Sequence, residues 1–132
     1  MAATKCNSEA AVKNAACSEA TVPPFSGLRI YISGPITGKH DLNRSAFLSA
    51  WAALEAAGYK AINPLWNGLP VSADWCEHMR ADIKLLMDCN AIVMLPEWEA
   101  SRGAEIERQV AQAVGIRVFE SVGEAVDARA AA

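Results

Sequence analysis

Short, mostly apolar runs alternate along this chain with stretches whose apolar residues recur at helical spacing. Runs of the first kind are typical of buried strands, whereas apolar residues three and four positions apart indicate helices that bury one face. The predicted strands cover residues 28–33, 59–62, 89–95 and 116–119, and the predicted helices cover residues 43–57, 72 or 74 to about 88, about 102–114, and 121–130. This alternation predicts an α/β fold, a Rossmann-like or flavodoxin-like parallel sheet of about four to five strands with helices on both faces.

The first 27 residues differ in composition from the rest of the chain. They are rich in Ala, Ser, Asn and Thr and end in Val22-Pro23-Pro24-Phe25. We interpret residues 1–27 as a flexible N-terminal extension and residues 28–132 as one α/β domain. At the start of the first predicted helix, Asp41 or Asn43 is expected to be the capping residue.

Composition and charge narrow the possible functions. A chain of 132 residues with 52% hydrophobic and 20% charged residues is typical of one globular domain. Twelve Lys and Arg against 15 Asp and Glu give a net charge of −3, which argues against a nucleic-acid polymer as partner. No apolar stretch approaches the ~20 residues that span a bilayer, and no signal-peptide pattern is visible. We therefore expect a soluble cytoplasmic protein with no membrane partner.

The cysteine and histidine residues suggest no metal chemistry. The four cysteines form no CxxC pair and no cluster with histidine, so neither a metal site nor a cofactor is predicted. His40 and His78 have no obvious partner in the sequence, and we interpret both as surface residues.

Two carboxylates near the start of the third predicted helix face in different directions. At about 100° per residue, one side of this helix forms an apolar arc. The arc consists of Ile106, Val110, Ala113 and Val114. Glu107 projects into it, whereas Glu105 falls on the opposite face with Arg108 and Gln112. Because a buried charge is costly unless it is paired or used, Glu107 is a candidate functional acid and Glu105 a solvated one.

A second inward acid, Asp82, lies between Leu85 and Leu86 on the apolar face of the preceding helix. Each acid alone could be a buried cap or a salt bridge. An ion pair of Glu107 with Arg29 or Arg102 in a closed core would make the acids structural. Two inward acids on helices flanking one strand favour instead a site that divides the roles of nucleophile and acid between them.

The first strand adds candidates at the same edge of the sheet. Tyr31 and Ser33 share one face because Ile30 and Ile32 take the other. Tyr31 is either a core tyrosine or a phenol that orients a carboxylate. Ligands of parallel α/β sheets bind outside the carboxyl ends of the strands. The residues predicted to bind substrate there are Ser33, Gly34, Pro35, Ile36, Thr37, Gly38, Asn63, Trp98, Ser101 and Gly103.

Several side chains at this edge suit a nucleotide ligand. The glycines of the turn at residues 34–38 let backbone N–H groups approach a phosphate or sugar, although the turn alone is a weak motif. Lys39 and Arg102 are candidate anion partners or simply solvated charges. Trp66 and Trp98 either stack on a base or pack within their own loops.

Three blocks of this sequence together resemble the nucleoside 2-deoxyribosyltransferase superfamily, and most closely a small, often phage-encoded branch whose activity is largely unassigned. The blocks are IYISGPITG at residues 30–38, Asp82 with DCNAIV at residues 88–93, and SRGAEIE at residues 101–107 followed by Ala111 and Gly115. The resemblance covers about residues 28–119 and is more specific for the fold than for an activity.

The resemblance implies cleavage of the N-glycosidic bond of a (deoxy)nucleoside or its 5′-monophosphate, with the sugar passed to water or another base. It implies that Glu107 attacks C1′, that Asp82 positions the base and supplies its leaving proton, and that Tyr31 orients Glu107. The turn at residues 34–38 would approach the sugar or its 5′ substituent. Because the chain is short for this superfamily, a homo-oligomer, dimer or higher, is expected to complete the site.

One position departs from the superfamily's pattern. Ser101 stands where many of the transferases carry an aspartate that contacts the base, so base recognition must differ, with Glu97, Trp98 and Glu99 as candidate replacements. Hydrolase and transferase remain open. The alternative is a non-catalytic module of the same fold that binds or sequesters a nucleotide. Convergence of Glu107, Asp82 and Tyr31 in an open pocket would favour the enzyme.

Overall fold

A computed structural model describes residues 28–131, and the predicted extension at residues 1–27 lies outside the described residues. The elements follow the predicted alternation of strands and helices. They are β1 (Arg29–Ser33), α1 (Arg44–Ala56), β2 (Lys60–Ile62), α2 (Trp75–Met87), β3 (Ala91–Met94), α3 (Arg102–Ala113), β4 (Arg117–Phe119) and α4 (Val122–Ala130). Each agrees with its predicted counterpart to within one to three residues at either end.

The four strands form one parallel sheet in the order β2-β1-β3-β4. Tyr31 of β1 pairs with Ile62 on one side and Ile92 on the other. From β1 the chain continues to β2 on one side, and it then crosses back to β3 and β4 on the other side of β1, so the strand order reverses between β1 and β3. In doubly wound folds ligands bind near the point where the strand order reverses, so the carboxyl end of β1, which borders that point, is an expected place for a site.

Helices cover both faces of the sheet, which confirms the predicted α/β architecture. On one face, α1 and α4 bury Phe47, Leu54 and Ala125 against Ile30 and Ile32. On the other face, α2 and α3 contribute a second buried cluster. Its members are Tyr31, Leu86, Cys89, Ile92, Met94, Ala104 and Ala111. The strict alternation along β1 therefore points Tyr31 and Ser33 toward α2 and α3.

The segment before α1 corrects the predicted cap. Asn43 precedes the helix, but neither it nor Asp41 caps it through its side chain; the Nδ2 of Asn43 donates to the carbonyl of Pro35 at 2.9 Å. Asp41, Leu42 and Asn43 have φ values of 49°, 58° and 59°. Three consecutive non-glycine residues in the left-handed region are uncommon. A tertiary contact to the turn after β1 has replaced local capping here.

The apolar arc predicted for α3 is also corrected in part. Ala113 and Val114 are both exposed, Val114 to 54%, and neither belongs to the core. The residues that α3 buries are Ala104, Glu107 and Ala111. None of the helices within residues 28–131 combines the length and apolar character that crossing a membrane requires.

Candidate active site

A cavity of about 290 Å³ lies at the carboxyl ends of β1 and β2, between the loop after β2 and the α2–α3 face of the sheet. Its walls come mainly from four parts of the chain, with Leu42 from the segment before α1 in addition. They are the turn after β1 (Gly34, Ile36, Thr37), the loop after β2 (Leu65, Asn67, Leu69), α2 (Trp75, His78, Met79, Asp82) and the start of α3 (Ser101, Gly103, Ala104, Glu107). Most of the wall is apolar, and Asp82 and Glu107 are its two carboxylates.

Glu107 is held at the wall of this cavity by two hydroxyl donors from β1. The Tyr31 hydroxyl donates to Oε2 at 2.9 Å, and the Ser33 hydroxyl donates to Oε1 at 2.7 Å. Both donors are fully buried and Glu107 is 5% exposed. Each carboxylate oxygen therefore has one neutral donor, an arrangement that fixes its position and favours its charged form.

The ion pair that would have made Glu107 structural does not form within residues 28–131. The guanidinium of Arg102 lies over the ring of Trp75, 4.7 Å from the centroid. The ion pairs of this part of the chain join Lys39 to Glu97, Arg44 to Asp41, and Arg108 to Glu120. Glu107 is thus a buried carboxylate that neutral hydroxyls hold beside a cavity. This environment is typical of a reactive acid and differs from that of a structural ion pair.

Burial controls the protonation of this glutamate. Desolvation by burial is the main cause that raises the pKa of Glu107, and the nearby charge of Asp82 acts in the same direction. The hydrogen bonds from Ser33 and Tyr31 oppose them, and together these effects bring the pKa to about 7. Burial and the charge of Glu107 raise the pKa of Tyr31 well above its usual value, so the phenol keeps the hydrogen that it donates. Shifts of this kind in a cavity mark candidate catalytic groups.

Asp82 is the second buried acid of the site, at 6% exposure. Its Oδ1 accepts a hydrogen bond from the Nδ2 of Asn67 at 2.9 Å. Burial raises its pKa to about 6, against the opposing effects of the Asn67 hydrogen bond and of His78. Because both carboxyl groups in this cavity have a raised pKa, the pair can be singly protonated near neutral pH.

Sequence reasoning missed Asn67 and misjudged His78. His78 is not an isolated surface residue: its ring contacts Asn67 and the carbonyl of Pro70, and it lines the cavity. Its spacing from Asp82, four residues on one helix, was the signal that could have placed it on the same face. Asn67 follows the carboxyl end of β2, where ligand-binding residues concentrate, but nothing in its neighbours distinguishes it.

The predicted substrate-binding residues separate into two groups. Gly34, Ile36, Thr37, Ser101 and Gly103 line the cavity. The remaining five do not line it: Ser33 lies behind Glu107, Pro35 and Gly38 lie in the turn, and Asn63 is buried with its Oδ1 accepting from the Leu65 amide at 2.9 Å. Trp98 lies under the guanidinium of Arg108, 4.8 Å from the ring centroid, and borders a different concavity.

The candidate anion partners and the second candidate stacking residue also lie away from the cavity wall. Lys39 pairs with Glu97, and Arg102 stacks on Trp75 at the rim. Trp66 packs edge-on against Trp51 with ring centroids 5.5 Å apart. Among residues 28–131, no three His, Cys, Asp or Glu side chains are grouped so that they could hold a metal ion.

Gly34 is required because Leu95, the residue directly after β3, comes close to the start of the turn. A Cβ at this position would lie 2.7 Å from the Cβ of Leu95, which is closer than real Cβ contacts come. Gly34→Ala is therefore expected to destabilise the fold by about 1–3 kcal/mol, since either the turn or β3 must shift. Urea unfolding followed by circular dichroism measures this loss.

The matched control for Gly34 is Gly123 in α4. A Cβ there would meet only the Ser121 Oγ, at 3.9 Å. Gly123→Ala should leave the free energy of unfolding unchanged or slightly higher, because alanine is the better helix former. Equal stability of both variants would contradict the crowding at Gly34.

Comparison with known proteins places the chain in a family but gives no activity. A search of curated proteins found no match to this chain. A family model described as a domain of unknown function, DUF4406, matches residues 28–120, which include all four strands and every residue of the cavity wall. This protein therefore belongs to the DUF4406 family, whose function is unknown.

Proposed function

We propose that this protein cleaves the N-glycosidic bond of a (deoxy)nucleoside or its 5′-monophosphate, with the sugar passing to water or to a second base. The observation that carries the proposal is the carboxylate of Glu107, held by Tyr31 and Ser33 at the wall of a cavity that it shares with Asp82. A fixed nucleophile and a second acid are the two groups that a retaining glycosyl transfer requires.

In the proposed reaction, one Glu107 oxygen forms a bond to C1′ while the C1′–N bond breaks. The electron pair of that bond goes to the departing base, and the Asp82 carboxyl gives the base a proton. Water or a second base then attacks C1′ of the glycosyl–enzyme intermediate and releases Glu107. The proton lost by this second nucleophile returns to Asp82, so that both acids end as they began.

The cavity wall suits a planar heterocycle beside a polar sugar. Apolar side chains of Leu65, Leu69, Trp75 and Met79 line the cavity together with the two acids. An apolar wall with a few fixed polar groups is typical of small-molecule sites. The resemblance of the three sequence blocks to the nucleoside 2-deoxyribosyltransferase superfamily supports the same assignment independently of the cavity.

A non-catalytic nucleotide-binding module is the second candidate. The raised pKa of Glu107 favours it, because a carboxyl group that is about half protonated at neutral pH can donate a hydrogen bond to a ligand instead of attacking it. The two candidates differ in one measurable respect: only the enzyme releases free base.

The test is incubation of the protein with a panel of nucleosides and their 5′-monophosphates, followed by chromatography of the free base, with and without a second base as acceptor. Release without an acceptor identifies a hydrolase, and release that depends on the acceptor identifies a transferase. Saturable binding with no release over the whole panel would replace the enzyme by the binding module. If no compound of the panel binds and no base is released, both candidates are refuted.

The enzyme is expected to show a bell-shaped dependence of kcat/KM on pH, with its maximum between about pH 6 and 7. At lower pH both acids are protonated and Glu107 cannot attack; at higher pH both are ionised and the base receives no proton. Because Glu107 has the higher pKa, most of the singly protonated pairs carry the proton on Glu107, and only the minority with the proton on Asp82 is active.

Initial rates measured from pH 4 to 9 in buffers of constant ionic strength give this profile. The control is Asp82→Asn, which should lose the alkaline limb together with most of its activity. A flat profile for the unmodified protein would contradict the two-acid arrangement.

We also propose that the protein forms a homo-oligomer around the mouth of the cavity. Leu69, Val71 and Trp75 are exposed apolar residues that line the cavity, and Val71 is 72% exposed. Exposed apolar patches of this kind often mark contacts with other proteins. Light scattering coupled to size-exclusion chromatography measures the mass directly, and a monomer of 14.1 kDa at micromolar concentration would refute this assembly.

A further inference from the structure

We propose that Asn67 and His78 are positioning residues that fix Asp82 as the acid of the reaction. This inference rests on the proposed function and names two residues that neither the sequence blocks nor the proposed chemistry assigns. Its basis is a chain of hydrogen bonds from the carbonyl of Pro70 through His78 and Asn67 to Asp82.

The amide of Asn67 has one orientation that satisfies all its contacts. Its Oδ1 accepts from the backbone N–H of Leu69 at 3.0 Å. Its Nδ2 lies 2.9 Å from Oδ1 of Asp82 and 3.1 Å from Nδ1 of His78, so its two hydrogens have one acceptor each. A flipped amide would put oxygen against the carboxylate and nitrogen against the Leu69 N–H, which are two repulsive contacts.

The ring of His78 is fixed in the same way. Its Nε2 lies 3.1 Å from the carbonyl oxygen of Pro70, and a carbonyl can only accept, so Nε2 carries the hydrogen. Nδ1 of the neutral ring then has a free lone pair, which accepts from Asn67. One tautomer therefore satisfies both contacts, and the loop holding Asn67 and Pro70 is tied to α2 at two points.

This chain determines which oxygen of Asp82 can carry the transferable proton. Oδ1 accepts from Asn67, so a proton on that oxygen would face an N–H donor. Among residues 28–131, no group forms a hydrogen bond with Oδ2. The proton is therefore directed to Oδ2, the free oxygen of a side chain that lines the cavity. Loss of either Asn67 or His78 would let the carboxyl rotate and weaken proton delivery.

A purely structural role for the chain is the competing explanation, and substrates with different leaving groups distinguish the two. The base of 2′-deoxyguanosine needs a proton to leave, whereas the base of 7-methyl-2′-deoxyguanosine carries a positive charge and leaves neutral without one. If the panel selects pyrimidines, 2′-deoxyuridine and 5-fluoro-2′-deoxyuridine, whose base is the better leaving anion, form the corresponding pair. Nucleosides or 5′-monophosphates are used as the panel directs.

Asn67→Ala is expected to lower kcat on 2′-deoxyguanosine by about 10–100-fold, a part of the 10²–10⁴ that general acid catalysis contributes, and to change kcat on the 7-methyl substrate by less than about threefold. His78→Ala should show the same selectivity with a smaller loss. His78→Asn should recover most of the activity, since its amide oxygen can accept from Asn67 near the position of Nδ1. Equal losses on both substrates would leave the residues a structural role only and overturn the proposal.

A second measurement needs no turnover. Nitrogen-15 chemical shifts of the histidine rings in the intact protein should show His78 as the tautomer with hydrogen on Nε2, and Asn67→Ala should change the Nδ1 resonance. A freely exchanging His78 ring would overturn the proposal even if base release is observed. Absence of base release over the panel, with the expected histidine signal, would refute the proposed function and leave the hydrogen-bond chain established.

Discussion

Glu107→Gln is expected to lower the rate of base release by at least about a thousandfold, since the amide cannot form the bond to C1′. The substitution keeps the size of the side chain, and the hydroxyls of Tyr31 and Ser33 can still hydrogen-bond to it. Free base is measured by chromatography, with enzyme in excess so that a single slow turnover is detected. Circular dichroism of the same sample checks that the fold is intact.

Glu105 supplies the matched control, because it lies two residues away on the same helix and is exposed. Glu105→Gln changes the net charge by the same amount and should retain activity within about twofold, as a solvated residue remote from the chemistry should. Unchanged turnover in Glu107→Gln would remove the nucleophile from the proposed reaction. Equal loss in both variants would indicate an effect of charge in place of chemistry.

The difference between these two glutamates is also where the sequence was most informative. Helical periodicity separates Glu107 from Glu105, and alternation along β1 separates Tyr31 and Ser33 from Ile30 and Ile32. Both periods follow from backbone geometry alone, so they hold wherever a helix or strand forms. The structure bears out the inward positions of Glu107, Asp82 and Tyr31, and it adds Ser33 as a second donor to Glu107.

What the sequence could not predict depends on contacts between segments that are distant along the chain. Asn43 follows two other left-handed residues, and its side chain donates to the carbonyl of Pro35, eight positions earlier, in place of capping the helix. Lys39, a candidate for binding an anion, meets Glu97 instead across 58 positions of sequence. No local pattern marks such pairs.

The loop after β2 shows the same limit most clearly. Asn67 is a candidate because it forms hydrogen bonds with Asp82 and His78, which lie on α2. Its own sequence neighbours identify a loop and a turn and nothing more. The family model covers this loop, but its description assigns no residue a role. The roles of Asn67 and His78 are therefore inferred from their hydrogen bonds.

Burial of Glu107 should also be visible in the stability of the protein, without any substrate. Its pKa is raised from 4.5 to about 7, so the folded protein binds the proton more tightly than the unfolded chain does. The protonated Glu107 therefore contributes to the free energy of unfolding. This contribution is fully present below pH 4.5 and is lost as the pH rises to about 7. A pKa shift of this size corresponds to about 3 kcal/mol. The free energy of unfolding is expected to be lower by this amount at pH 8, where Glu107 is ionised.

Glu107→Gln removes this cost because glutamine does not ionise. The free energy of unfolding of the variant, minus that of the unmodified protein, is therefore expected to rise by about 3 kcal/mol between pH 4.5 and pH 8. Urea unfolding of both proteins at the two pH values measures this difference. Glu105→Gln, whose parent residue is exposed, should change by less than about 0.5 kcal/mol over the same interval. A Glu107→Gln difference that does not vary with pH would mean that the carboxyl group has an ordinary pKa in the folded protein. That result would remove the raised pKa on which the expected bell-shaped rate profile depends, so stability and activity test the same property of Glu107 by independent routes.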